Sequence, residues 1–189
     1  MPANKHRLDR YISLKTGIPK NDVRLLLAQK RVCVNNEIAD SAQLLVDQFS
    51  LISLDGKVLQ NRKPIYLMMH KPKGVISATK DNQHRTVIDL LRESCELQIT
   101  RDEIEELHIV GRLDLNSSGL LLLTNDSDWS KQLMSPEHKV EKIYQVTVEH
   151  PISDDCIEAF SAGIYFPYED ITTKPAKLER LSDTLAKVT

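Results

Sequence analysis

The stretch HIVGRLDLNSSGLLLLTND, His108 to Asp126, sets one carboxylate, Asp114, between an arginine two residues upstream and a run of four leucines, Leu120 to Leu123. Leaving those leucines in water would forfeit about 1.5–3 kcal/mol for each, so the run reads as a strand through the core. Gly119 and the polar pair Ser117-Ser118 permit a tight loop ahead of it, which holds Asp114 at a rigid mouth. A carboxylate fixed beside the Arg112 guanidinium is expected to stay ionised, because the opposite charge lowers its pKa. That suits a nucleophile or a base. A bare Arg-x-Asp pattern equally fits an aspartate that caps a turn or pairs with Arg112.

Around this motif the pattern is mixed. Ile65 to Met69 reads as a strand, followed by a Lys-Pro-Lys-Gly turn. Thr86 is placed to cap a helix with Val87, Leu90, Leu91 and Cys95 on one side. Asp126 or Ser127 starts a further helix, in which Trp129 and Leu133 form an i,i+4 pair before Pro136 stops it. KIYQVTVE alternates, with Tyr144, Val146 and Val148 on one face. Ser153 caps DDCIEAFSAG, with Ile157 and Phe160 in the core and Gly163 as the stop. Helices and strands interleave without a regular βαβ cycle, so the fold class is α+β.

Upstream, Leu8, Tyr11, Ile12 and Lys15 follow helical spacing up to Gly17, and Pro19 opens a second helix with the stripe Val23, Leu26 and Leu27. Val32 and Val34 share a strand face, Asn35-Asn36 suits a hairpin turn, and Leu51 to Leu54 closes at Asp55-Gly56. The stretch Leu59 to Pro64 separates the two patterns. The expected organisation is a domain over 1–60, a linker at 61–64 and a second domain over 65–189.

Charge is distributed unevenly. Residues 1–34 hold eight Lys/Arg against two Asp/Glu, and residues 62–85 six against one, while 86–189 hold ten against twenty. Two basic blocks on an acidic body suggest a polyanion partner at the N-terminal side, although a charge count alone fits a solvated helix face as well. The three dispersed cysteines, Cys33, Cys95 and Cys156, read as reduced, mostly buried thiols, and no His or Cys pair has metal-ligand spacing, so no metal is expected. No apolar run is long enough to span a membrane and the N-terminus lacks a signal-peptide core, so a cytoplasmic location is expected.

The segment RLDRYISLKTGIPKNDVRLLLAQKRVCVNN resembles the S-four type of RNA-binding domain. The resemblance implies that Arg7, Arg10, Lys20, Arg24 and Arg31 face RNA. Lys30 and Asn36 stand where that family usually has glycine. GRLDLNSSGLLLLTND, with HKPKG upstream and EKIYQVTVE downstream, closely resembles the RsuA-like family of ribosomal RNA pseudouridine synthases over essentially the whole chain. The fold this implies is a small N-terminal S-four domain followed by a mixed α/β catalytic domain.

The resemblance further implies that Asp114 is the catalytic aspartate, acting while the N1–C1′ bond of a flipped uridine breaks and the base rejoins through C5. Arg112 would hold the flipped nucleotide or fill its gap, Tyr144 would pack against the target base, and Lys71-Pro72 with Gly74 would form the turn near the substrate. The rearrangement involves no redox step and no external group, so no cofactor is expected. The partner is ribosomal RNA, free or in a partly assembled subunit, bound by a monomer; DITTKPAKLE looks most like the small-subunit branch.

Ser117 replaces the family's usual threonine and Ser127 its usual glycine. The family's strand at DTLAKVT continues into an Arg/His/Lys-rich motif and a helix that do not follow here, so the expectation is a catalytic domain truncated at its C-terminus and little isomerase activity in the 189-residue form. Two other classes fit parts of the pattern. A non-catalytic ribosomal-RNA binding or assembly protein would use the same basic helices. A glycosidase would need a second acid about 5–10 Å away, whereas the strand carries Asp126 roughly 13 Å off for four residues.

Overall fold

The computed structural model describes residues 5–94 and 98–189, in two compact units, Met1–Ser135 and Pro136–Thr189. In the first unit, β1 (His6–Arg7) leads into α1 (Leu8–Thr16), which buries Leu8 and Ile12 and ends where Gly17 turns left-handed at φ 77°. The next helix, α2 (Lys20–Ala28), starts one residue later than expected: Pro19 is extended and caps it, and Val23 and Leu27 are buried. After α2 come β2 (Val32–Val34), β3 (Glu37–Ile38), β4 (Leu45–Val46), β5 (Ile52–Leu54) and β6 (Lys57–Gln60). Four of these strands form an antiparallel sheet in the order β3-β2-β5-β6, and β1 pairs with β4.

Both hairpin turns have the positive φ that their residues predict: 52° and 68° at Asn35 and Asn36, 53° and 76° at Asp55 and Gly56. Lys30 also lies in the left-handed region, at φ 58°, a conformation that costs a residue with a Cβ about 1–2 kcal/mol. The amides of Lys30 and Arg31 donate to the Leu27 and Leu26 carbonyls, so the α2 terminus is closed despite that cost. These elements enclose one core, built from Leu8, Ile12, Val23, Leu27, Val32, Val34, Val46 and Ile52.

A second core is shared by β7 (Tyr66–Lys71), α3 (Val87–Glu93), α4 (Arg101–Glu105), β8 (His108–Val110) and β9 (Gly119–Thr124), and α5 (Ser127–Met134) follows, its Trp129 packed edge-on against Tyr66 at 5.0 Å between ring centres. The strand expected at Ile65 to Met69 therefore runs on through Lys71. A capping box on Thr86 and Asp89 starts α3 as the sequence predicts; Cys95 lies outside the described residues.

The central strand β9 is antiparallel to both neighbours in the order β7-β9-β8, with Lys71 opposite Gly119 and Val110 opposite Leu122. The two faces of this sheet differ in exposure among the described residues. Leu121 and Leu123 are buried, but Leu120 is 64% exposed, and Met68 on the same open side is 82% exposed. The expectation that all four leucines run through the core is thus corrected, because side chains alternate along a strand.

Residues 61–64 are tied down rather than free. Asn125, 3% exposed, accepts from the Ile65 amide at 2.9 Å and donates to the Lys63 carbonyl at 2.9 Å, and Arg62 pairs with Glu106 at 2.8 Å. Leu59 and Gln60, just before residues 61–64, belong to β6.

In the second unit a 3-10 turn (Pro136–His138) precedes β10 (Tyr144–Thr147), α6 (Asp154–Ala162), β11 (Tyr165–Phe166), β12 (Ile171–Thr172), β13 (Leu178–Ser182) and β14 (Leu185–Val188). Its main sheet has the order β10-β14-β13. Ser153 caps α6 as expected, but Ile157 and Phe160 are half-buried and Cys156 is exposed, against the buried thiol the sequence suggested. Among the described residues no helix is long and apolar enough to cross a membrane.

Asp126 joins sheet to helix. Its carboxylate accepts from the amides of Asp128 and Trp129, both at 3.1 Å, and from the Tyr66 hydroxyl at 2.8 Å. Burial alone would raise its pKa, but those donors and nearby His108 outweigh burial and hold it below the ordinary carboxylate range. Its contribution is therefore complete above that range and lost as the pH falls through the lowered folded value. Asp126→Ala is expected to cost about 1 kcal/mol in urea unfolding at pH 7, a difference that shrinks on acidification.

Candidate active site

The loop between β8 and β9 alternates along residues 111–118. Arg112, Asp114, Asn116 and Ser118 are exposed, whereas Leu113, Leu115 and Ser117 are half-buried. Three polar ties to the segment 71–77 explain the alternation. The Lys71 ammonium donates to the Ser117 carbonyl at 2.9 Å. The Gly74 amide donates to the Leu115 carbonyl at 2.8 Å. The Ser77 hydroxyl donates to the Leu113 carbonyl at 2.7 Å and accepts from the Leu113 amide at 3.0 Å. Every second residue is fastened inward, so those between point out. A bond from the Ser117 amide to the Asp114 carbonyl, 3.0 Å, closes the turn beyond the aspartate.

Lys71 is the centre of this arrangement. It is 0% exposed, and its ammonium also donates to the Pro72 carbonyl at 3.0 Å and the Val75 carbonyl at 2.6 Å. Three acceptors use all three of its N–H bonds. Burial pushes the Lys71 pKa down, while the negative charge of Asp114 pulls it the other way. Gly74 sits at φ 79°, a conformation that leaves its amide free to face Leu115 and that a side chain disfavours.

The structure changes the electrostatics expected of Asp114. Among the described residues neither Arg112 nor Asp114 forms an ion pair, and both project to solvent. The cation that senses Asp114 is Lys71, more than forty positions earlier in the chain. Sequence spacing pointed to Arg112 because it is two residues away; the buried Lys71 is a cation that spacing could not reveal.

Tyr144 lies in the second unit, on β10 opposite Val188, with 43% of its surface exposed. The basic residues of the first unit divide into two sets. Arg7 grips the buried Asp9 through two bonds, 3.2 and 2.7 Å, and Arg31 grips Asp55 at 2.7 and 2.6 Å. Arg10, Lys20 and Arg24 form no ion pair among the described residues. Ser77 escaped the sequence reading, since nothing in the chain's pattern links a serine to a backbone 36 residues away.

Residues 65–180 match the family described as RNA pseudouridylate synthase. Ribosomal small subunit pseudouridine synthase A of Pseudomonas aeruginosa is 40% identical over 184 residues, which are 97% of this chain and 76% of that protein. Its namesake in Escherichia coli (strain K12) is 35% identical, with the same 97% and 76% covered. A solved structure described as "Crystal structure of pseudouridylate synthase" superposes with a TM-score of 0.58 at 31% identity, over 96% of this chain and 75% of that one. The chain belongs to the RNA pseudouridylate synthase family.

Replacing Lys71 by Met would leave three carbonyls without their charged donor. Lys71→Met is expected to destabilise the protein by about 2–4 kcal/mol, read from the urea midpoint.

Proposed function

We propose that the protein converts a uridine of small-subunit ribosomal RNA to pseudouridine, with Asp114 as the catalytic residue. The observation that carries this is the exposed carboxylate on a loop whose flanking backbone is bonded at every second residue. The relatives named for small-subunit pseudouridine synthesis, at 35–40% identity, support the substrate class.

A uridine in folded RNA is stacked, and its reacting atoms become reachable only when it is extruded, at a cost of a few kcal/mol. The Arg112 side chain supports the vacated stack or the flipped nucleotide, and stacking on Tyr144 offsets about 1–3 kcal/mol. Asp114 acts on the ribose or the uracil while the N1–C1′ bond breaks. The base turns, C5 bonds to C1′, and the hydrogen on C5 is lost while N1 gains one. No electron pair is gained or lost and no external group is transferred, so the reaction as written calls for no cofactor.

Residues 1–60 serve as the S-four RNA-binding domain of this enzyme. Their roles divide along the ion pairs: Arg10, Lys20 and Arg24 meet phosphates, while Arg7 and Arg31 also build the domain. Ribosomal RNA, free or within a partly assembled subunit, is the partner of a monomer.

Asp114→Asn is expected to lower tritium release from 5-tritiated uridine in ribosomal RNA by about 10³-fold, with RNA affinity within about twofold of the parent. Retained turnover would refute the assignment of Asp114. Charge-removing changes at Arg10, Lys20 and Arg24 should each flatten the salt dependence of RNA binding, log Kd against log salt, by about 0.7–0.9, and those at Arg10 and Lys20 should leave the unfolding midpoint unchanged.

A further inference from the structure

We infer that Ser77 is a positioning residue for the isomerisation, setting the direction of Asp114 through the backbone of Leu113; this rests on the assignment of Asp114 above. Leu113 is the residue immediately before the aspartate. Both of its peptide groups are held by one hydroxyl: Ser77 Oγ donates to the Leu113 carbonyl at 2.7 Å and accepts from the Leu113 amide at 3.0 Å. A side chain thereby does what a neighbouring strand would do, fixing N–H and C=O of one residue together. The carbonyl of Leu113 belongs to the peptide whose nitrogen is that of Asp114, so rotation of this peptide changes where the carboxylate points.

Ser77 is itself anchored. Its neighbour Ile76 donates to the Arg85 carbonyl at 3.0 Å and accepts from the Val87 amide at 3.1 Å, next to the buried start of α3. The hydroxyl is thus referred to a core helix rather than to a free loop. The other two ties differ in kind. Gly74 binds through its backbone, so no substitution deletes that donor short of proline, and Lys71 also holds two carbonyls of its own turn. Ser77 is the tie that acts on the aspartate's own peptide and that a side-chain change removes alone.

A displacement of about 1 Å in a reacting group is enough to cost two orders of magnitude in rate. Ser77 does not touch the substrate in this assignment. Its loss should therefore lower the chemical rate constant and leave RNA binding alone.

The test is single-turnover tritium release at saturating enzyme with Ser77→Ala, Ser77→Thr and Asp114→Asn in parallel. At saturating enzyme the rate constant does not depend on the folded fraction as long as folded enzyme exceeds and saturates the RNA, whereas misplacement lowers it; the folded fraction is read separately from the far-UV circular dichroism. Ser77→Ala is expected to slow the rate constant by about 10- to 100-fold, equivalent to about 1.4–2.7 kcal/mol at 1.36 kcal/mol per decade, with unchanged RNA affinity. Ser77→Thr, which keeps the hydroxyl, should recover most of it. A parental rate constant in Ser77→Ala, or a loss that Ser77→Thr does not repair, overturns the inference. If Ser77→Ala does not fold, Ser77→Cys, nearly equal in shape but a weak hydrogen-bonding group, takes its place with the same two outcomes. Activity retained by Asp114→Asn defeats the assignment of the aspartate itself. An inactive Asp114→Asn beside a fully active Ser77→Ala defeats only the role of Ser77.

Discussion

A lysine ammonium sealed among carbonyl oxygens is the constraint on which the site rests. Lys71 is wholly shielded from water, and a buried cation is tolerable only when its donors are all satisfied. Its partners belong to two different parts of the chain: Pro72 and Val75 in its own turn, and Ser117 in the loop before β9. One charge therefore fixes the shape of the 72–75 turn and staples the aspartate loop onto it. The amide of Gly74 and the hydroxyl of Ser77 extend the staple toward Leu113, and the alternation of the loop follows. An acidic group held outward in this way needs little reorganisation to meet a substrate.

The sheet beneath gives that loop its base. With β9 between β7 and β8, the register brings Lys71 opposite Gly119, at the end of the strand where the loop begins. The two strands enter the site together, one carrying the lysine and the other arriving from the aspartate. At the other end of the same strands, Tyr66, Thr124 and Asp126 tie the sheet to the residues near 63–65 and to α5. Polar ties thus close both ends of a sheet whose middle is held by Leu121 and Leu123.

Electrostatics in the first unit serves two ends. Arg7 and Arg31 spend their guanidinium groups on Asp9 and Asp55, so part of the positive charge counted in the sequence is used in holding α1 and the β5-β6 turn. The Asp9 carboxyl feels burial, which would raise its pKa, but the bonds from Arg7 and the charge of Arg24 leave it lowered. Among the described residues Arg10, Lys20 and Arg24 form no ion pair. A count of basic residues cannot make this distinction, because it turns on which acids the fold brings within reach.

Beyond the α+β class, the sequence by itself determined the hairpin turns at Asn35-Asn36 and Asp55-Gly56, the caps at Thr86 and Ser153, and a helix start at Asp126 or Ser127. Each of these depends on residues within about four positions of one another, where backbone sterics and local hydrogen bonds act. Only the tertiary structure decided that Leu120 faces outward, that the Lys71 ammonium is held by the Ser117 carbonyl, and that Ser77 holds Leu113. Those facts join residues dozens of positions apart. Their energy comes from burial and from hydrogen bonds that exist only once β7 and β9 have paired, and no local pattern in the chain encodes that pairing.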